Sequence, residues 1–203
     1  MVRQTLQLLK DKKEIDGFVE IGSTGRYISE LRKRVKIKGS IYLIHDQQPS
    51  FSPADLAERG QIAKLGRFVA LYDYDPIRQQ AIPDASVDLV ICYVGLHHAP
   101  LKKLEKFVLS IHRILRPGAV FIVRDHDVNT NEMRTFVSLV HTVFNAGLGV
   151  SWEDNCKELR HFKALDDLLA YLEERGVKST GMTLLQANDP SNNTLMAFIK
   201  EQG

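Results

Sequence analysis

The chain has 203 residues, room for one domain with an added lid, and its 44% hydrophobic and 26% charged content is that of an ordinary globular protein. A formal net charge of +2 does not call for a nucleic-acid or anionic-membrane partner. No apolar run approaches the roughly 20 residues that span a bilayer. The opening MVRQTLQLLKDKKEID lacks the apolar core of a secretory signal. Two cysteines, Cys92 and Cys156, are too few for a disulfide framework, which predicts a reducing, cytoplasmic setting.

In chain order, GFVEI (17–21) predicts a buried strand and RYISELRKRV (26–35) a helix with Ile28, Leu31 and Val35 on one face. SIYLIHD (40–46) predicts a second strand. SPADLAERGQIAKL (52–65) opens a helix, with Ser52 as cap, Pro53 in the first turn and Asp55 favouring the dipole. RFVALYDYD (67–75) and SVDLVICYVG (86–95) predict the third and fourth strands. LKKLEKFVLSIHRIL (101–115) is amphipathic, with Leu104, Phe107, Val108, Ile111, Ile114 and Leu115 on one stripe. Arg116-Pro117-Gly118 breaks it, and AVFIVRDHD (119–127) predicts the fifth strand. Apolar strands alternating with helices indicate a parallel sheet covered on both faces.

The later part differs. An extra helix is expected over 129–147, with Asn129 and Glu132 as a capping-box variant. A looser stretch follows, and the segment from about 129 to 163 reads as a helical insertion or lid. ALDDLLAYLEERG (164–176) predicts a helix with Gly176 as its C-cap. VKSTGMTLLQAN (177–188) and NTLMAFIKEQ (193–202) predict two strands, and the short link DPSN makes them an antiparallel hairpin.

Ligands of open α/β sheets bind outside the carboxyl ends of the strands, and here those ends gather the titratable groups. They carry Glu20, Gly22 and Gly25, then Asp46, then Asp73, Tyr74 and Asp75, then Tyr93, Gly95, His97 and His98, then Asp125, His126 and Asp127. Glycines after the first strand let backbone approach a ligand. A carboxylate there repels pyrophosphate and attracts a sulfonium or ammonium. A carboxylate after the second strand suits a ribose diol, and one after the third accepts from an exocyclic amine. Together they describe a nucleoside with a cationic tail. S-adenosylmethionine meets that description, whereas NAD meets it only at the ribose, and Glu20 argues against a nicotinamide-dependent oxidoreductase.

On these residues the sequence resembles a class I S-adenosylmethionine-dependent methyltransferase of the type 11-like group. VEIGSTGR resembles the glycine-rich first motif, IPDASVDLVICYVGLHH the segment around the fourth strand, and ILRPGAVFIV the approach to the fifth. The resemblance covers nearly the whole chain. It implies one Rossmann-like, three-layer α/β domain over 1–203, with a seven-stranded, mostly parallel sheet whose last strand is antiparallel. It also implies that Glu20, Gly22 and Gly25 surround the methionine part of the cofactor; Ser23-Thr24 departs from the pattern by replacing the usual central glycine, which either makes the turn less open or brings a hydroxyl to the cofactor carboxylate. Asp46 would bind the ribose, Asp73 and Tyr74 would flank the adenine, and Tyr93 would offer backbone to the cofactor amine.

Candidate catalytic residues are His97, His98, Asp125 and His126, since a histidine near neutral pKa takes a proton from a hydroxyl or amine nucleophile. Asp125, His126 and Asp127, with His98, also raise a metal. Catechol-type, metal-dependent relatives need an acid directly after the fourth strand, where this chain has Tyr93, so no metal is expected. Trp152, Phe136 and Phe144 are lid candidates whose alternative is core packing. The basic run RKRVKIK (32–38) lacks the interleaved aromatics of a base-stacking surface. The chain has neither the N/D-P-P-Y/F motif of DNA amino-methylating enzymes nor a Pro-Cys nucleophile of the RNA cytosine type. The expected acceptor is therefore an oxygen or nitrogen of a small molecule or protein side chain. The alternative is a catalytically weak or inactive module that binds S-adenosylmethionine, a protein partner, or both. A partner domain or chain accords with the short N-terminal segment.

Overall fold

Strands that read as continuous apolar runs must be covered on both sides, and this sheet is. The computed structural model describes residues 1–10, 12–60, 62–63 and 65–201. The elements are α1 (Val2–Leu8), β1 (Glu14–Ile21), α2 (Arg26–Leu31), β2 (Lys36–His45), α3 (Pro53–Arg59), β3 (Arg67–Ala70), β4 (Val87–Cys92), α4 (Leu101–Ile114), β5 (Leu115–His126), α5 (Asn131–Gly147), α6 (Trp152–Lys157), α7 (Leu165–Glu173), β6 (Val177–Leu185) and β7 (Asn193–Lys200). The sheet has seven strands in the order β3-β2-β1-β4-β5-β7-β6. The pairs among β1 to β5 are parallel, and β7 runs antiparallel to β5 and to β6. The order reverses between β1 and β4, which places the ligand crevice above their carboxyl ends.

Period-two alternation sends neighbouring residues of each strand to opposite cores. Val19, Val90, Phe121 and Phe198 join one core with Phe107 and Ile111 of α4 and Leu168 and Leu172 of α7. Phe18, Leu89, Ile91, Ile122 and Ala197 join the other with Leu8 and with Ile28 and Leu31 of α2. The predicted stripe of α4 is the buried one. On α3, Ser52 accepts from the Asp55 N–H at 3.2 Å and Pro53 occupies the first turn, as the sequence predicts.

Several boundaries move, each for a local reason. β3 stops at Ala70 because Tyr72, Asp73 and Tyr74 all have positive φ, between 48° and 60°. Each such residue costs of order 1–2 kcal/mol, so this turn is held by its surroundings. β5 begins at Leu115 and runs through the expected break, since its register against β4 shifts between Val87–Leu115 and Leu89–Val120 and absorbs Arg116-Pro117-Gly118 in a bulge. Thr130, not Asn129, caps α5, accepting from the Met133 N–H at 3.1 Å. α2 ends at Leu31, before the predicted Val35. α7 ends at Glu173 with Glu174 as its C-cap, and the expected cap Gly176 lies just past it with φ 86°. Gln61 and Lys64 of the predicted helix 52–65, and Gln202 of the predicted last strand, lie outside the described residues. Among the described residues no helix is long and apolar enough to cross a membrane.

Candidate active site

The turn after β1 is built around its own buried charge. Glu20 is fully buried. Its Oε1 accepts from the Ser23 hydroxyl at 2.5 Å and the Tyr27 N–H at 3.1 Å, and its Oε2 from the Ile28 N–H at 2.8 Å. Those amides belong to the first turn of α2, where N–H groups lack intrahelical partners and carry partial positive charge. This corrects the expectation for Glu20, whose carboxylate shapes the turn and holds α2 instead of facing a sulfonium. Ser23 Oγ also accepts from the Gly25 and Arg26 N–H groups at 3.2 and 3.1 Å. The Thr24 hydroxyl is buried and finds no hydrogen-bond partner among the described residues. Gly22 has φ 83°, and a Cβ there would lie 2.5 Å from Val94 Cβ. Close approach is therefore used first by the protein's own Val94. Gly22→Ala is expected to cost about 2–3 kcal/mol, read as a lowered urea midpoint with an unchanged slope.

The next two strand ends are more open. Asp46 is exposed just past β2. The carboxylates of Asp46, Asp73 and Asp125 all act on the Tyr74 phenol, whose pKa is raised by burial first and then by neighbouring negative charge. Asp73 is exposed and accepts from Lys103 Nζ at 3.1 Å, while Lys103 also pairs with Asp75 at 2.9 Å. Tyr74 departs from the expected adenine-flanking role. The left-handed turn swings its ring into the core, edge-on to Phe107 at 5.2 Å, with its hydroxyl 3.4 Å from the Gly95 carbonyl. The exposed ring of this turn is that of Tyr72. Glu20 is thus buried under α2, whereas Asp46 and Asp73 are exposed past β2 and β3. The Tyr93 ring is buried, edge-on to Tyr27 at 4.7 Å, and its hydroxyl pairs with Thr5 of α1.

The fourth and fifth strand ends hold the densest chemistry. Asp125 is buried and accepts from His97 Nδ1 at 2.5 Å, from the Leu96 N–H at 2.8 Å and from the His126 N–H at 2.8 Å. Burial pushes its pKa up, but the His97 ring and the N–H donors outweigh this and hold it below the usual value. Gly95 makes room, since a Cβ there would lie 2.5 Å from the His97 ring. His126 Nδ1 bonds the Ser191 carbonyl at 2.8 Å, and His98 Nδ1 the Leu159 carbonyl at 3.2 Å. From α5, His141 places Nε2 at 3.3 Å from His126 Nε2 and Nδ1 at 3.5 Å from Glu158 Oε1. Burial, then the neighbouring His97, pushes His98 down to about 3 and His141 to about 4, and burial lowers His126 as well. Asp127 turns away and accepts from the Leu165 N–H at 2.9 Å, at the start of α7.

A cavity of about 710 Å³ joins these features. Gly22, Ser23 and Arg26 border it on one side, Tyr93 and Val94 at its floor, and His97, His98, His126, His141 and Phe144 on the other. It is of a size that holds a cofactor end together with an acceptor. The cofactor that the resemblance implies fits at its methionine end, where the turn and the Tyr93 segment face one space and the Arg26 side chain can meet a carboxylate. A separate hollow of about 60 Å³ lies among Ile44, Val69, Tyr72, Asp75 and Phe107. Sequence reasoning missed His141, Arg26 and Glu158. His141 is read there as part of an apolar helix, and its only signal is its place on the inner face of α5. Trp152 and Phe144 are exposed and Phe136 is partly so, and none of them packs in the core.

No curated protein sequence matches the chain. Solved structures do, over nearly its whole length. A chain of the complex between the Haloferax volcanii Trm112 methyltransferase activator and a methyltransferase matches with a TM-score of 0.66 at 16% identity, covering 99% of this chain and 90% of that one. The Burkholderia thailandensis 1,6-didemethyltoxoflavin-N1-methyltransferase, solved with its substrate and S-adenosylhomocysteine, matches with a TM-score of 0.62 at 14% identity over 99% and 77%. The N-methyltransferase NodS of Bradyrhizobium japonicum, solved with S-adenosylhomocysteine, matches with a TM-score of 0.60 at 11% identity over 99% and 86%. At such identities these likenesses establish the fold. The sequence profile of the Methyltransferase domain family matches residues 19–123, just over half of the chain and the span from β1 to the end of the β5 apolar run. With that match and the seven-stranded sheet, this chain belongs to the methyltransferase-domain family of class I S-adenosylmethionine-dependent methyltransferases.

Proposed function

We propose that this chain transfers a methyl group from S-adenosylmethionine to an oxygen or nitrogen of a small molecule or protein side chain. The observation that carries the reading is the single cavity running from Gly22 and Ser23 to His97, His98 and His126. When bound, the cofactor supplies a methyl group already activated on a sulfonium, so the protein has mainly to align the acceptor and take up a proton. The Gly22–Ser23 turn and the Tyr93 backbone hold the amino-acid end, with the Thr24 hydroxyl as an available donor. Asp46 takes the ribose hydroxyls, and Asp73 and the Tyr72–Tyr74 turn border the base. His126, whose Nδ1 is held by the Ser191 carbonyl, offers its Nε2 for the acceptor's proton, whereas His98, pushed down to about 3, is too weak a base for that and lines the acceptor space. Asp125 is a positioning residue that orients His97. Within a single domain, α5 and α6 form a lid over the acceptor, with His141 and Phe144 lining it from above. Two free cysteines, one buried and one exposed, accord with a cytoplasmic setting.

Asp46→Ala is expected to weaken cofactor binding about 10- to 100-fold, the loss of one or two charge-assisted hydrogen bonds. Its melting temperature should stay unchanged, because the side chain is exposed. Calorimetric titration beside thermal unfolding checks both. The reaction itself is tested by incubating the protein with S-adenosylmethionine and a panel of hydroxyl, amine and peptide acceptors, and measuring S-adenosylhomocysteine release. A second reading, a partner-binding module of low activity, draws on the apolar outer side of the lid, where Val143, Leu148 and Trp152 are 63%, 66% and 72% exposed. It gains from the Haloferax neighbour, which was solved with an activator chain. Under that reading, S-adenosylhomocysteine release stays at background for every acceptor until a partner chain is added.

A further inference from the structure

The histidines at the cavity wall are arranged as metal ligands are. Four of the chain's seven histidines converge here from three places, namely the loop after β4, the end of β5 and the middle of α5. One ring nitrogen from each of His97, His98 and His141 lies within 4.8 Å of the others. Ring centroids are 4.1 Å apart for His97 and His98, 5.1 Å for His97 and His141, and 5.3 Å for His126 and His141.

The outer nitrogens are all occupied. Nδ1 of His97 meets Asp125 Oδ1, Nδ1 of His98 the Leu159 carbonyl, Nδ1 of His126 the Ser191 carbonyl, and Nδ1 of His141 faces Glu158 Oε1. Each of these partners is an acceptor, which assigns the proton to Nδ1 and leaves Nε2 as a bare lone pair. Metal-bound histidines commonly have this outer shell, in which a carboxylate or carbonyl fixes the tautomer and makes the other nitrogen more basic. His97 is 5% exposed, and its Nε2 is buried with no hydrogen-bond partner among the described residues. His126 and His141 face each other through Nε2 at 3.3 Å. If His141 is protonated on Nδ1 toward Glu158, two lone pairs oppose each other. If it is protonated on Nε2 instead, its Nδ1 lone pair opposes a carboxylate. A cation held by the Nε2 atoms of His97 and His141, at metal–nitrogen bonds of about 2.0–2.1 Å, gives the buried His97 nitrogen a partner and removes the opposition between His141 and His126. Asp125 and Glu158 supply negative charge at the outer shell, although Glu158 also pairs with Arg160 at 2.7 Å.

We propose that His97, His98 and His141, with His126 beside them, bind one divalent transition-metal ion of the borderline class that prefers imidazole nitrogen, zinc foremost. Asp125 is the positioning residue for His97. The remaining coordination position faces the 710 Å³ cavity, where an acceptor's oxygen or nitrogen would meet the ion. This site differs from the catechol-type arrangement, because its ligands are imidazoles and one of them comes from the lid. The inference stands apart from methyl transfer, and its test does not use activity.

The full chain, stripped with a chelator and dialysed, is titrated with zinc chloride alone in a non-coordinating buffer. Cobalt(II) substitution is followed separately by its visible spectrum. The expected result is one ion per chain, an increase in melting temperature on loading, and an intense tetrahedral-type cobalt spectrum. His141→Ala and His98→Ala alter partly exposed ligands and should each weaken zinc binding about 100-fold or more, whereas Asp125→Asn, acting through His97, should weaken it about 10- to 100-fold. His45→Ala, far from the cluster, should bind as the wild type does, and circular dichroism checks that every variant is folded. Absence of stoichiometric zinc binding by the folded wild type would overturn the proposal, as would binding that His98→Ala and His141→Ala leave unchanged. S-adenosylhomocysteine titration of the same preparations separates this outcome from a failure of the methyltransferase reading.

Discussion

Glu20→Ala is expected to lower folding stability by about 3–5 kcal/mol, among the largest effects of any single substitution outside the apolar cores. The carboxylate is fully buried and takes hydrogen bonds from Ser23, Tyr27 and Ile28. Removing it strands two helix-terminal N–H groups away from water, at about 1–3 kcal/mol each, and leaves a cavity. Glu20→Gln keeps the volume but turns an amide N–H₂ toward a backbone donor, so a loss of about 2 kcal/mol is expected. Urea denaturation of the two variants distinguishes the roles. A carboxylate that faced only ligand would leave stability nearly unchanged and alter cofactor binding alone.

Asp125→Ala is the second large effect. It removes the acceptor of the Leu96 and His126 amides and of His97 Nδ1 at once, in a buried setting. The expected loss is about 3 kcal/mol of stability. In the methyl-transfer assay kcat should fall about 100-fold or more, because the histidine loops are no longer fixed. Asp125→Asn should retain more stability than activity: one amide oxygen still serves His97 and His126, while the Leu96 N–H meets an N–H₂. Equal losses in folding and turnover for Asp125→Asn would mean that the residue is only structural.

Much of the fold could be read from the chain, because the physics that forms it is local. The apolar runs of β1, β2, β4 and β5 and the stripe of α4 needed only periodicity, and the link Asp189–Asn192 needed only its shortness to make β6 and β7 a hairpin. The errors fall where tertiary contact decides. Nothing in LYDYDP announces three successive left-handed residues, so Tyr74 was placed beside a ligand although its ring is in the core. The acid of the first motif was recognised, but its direction was not, because a carboxylate satisfied by α2 and one facing a ligand have the same sequence. The histidine cluster was half visible. His97, His98 and His126 lie at strand ends, where the sheet topology predicts function. His141 lies 15 residues after His126 on a helix, and its convergence with them depends on tertiary packing of α5 that periodicity does not reveal. Phe144 and Trp152, which helical spacing alone leaves open between lid and core, are exposed and so lie outside the core.

The most direct measurement is calorimetric titration of the wild-type chain with S-adenosylhomocysteine, repeated with Asp46→Ala. Saturable binding of one molecule per chain, weakened at least tenfold by loss of the Asp46 carboxylate, is the predicted result. Absence of binding at millimolar ligand by a protein with a cooperative melt, or binding indifferent to Asp46, would contradict the account of a nucleoside seated on the β2 rim with its sulfur end in the histidine-walled cavity.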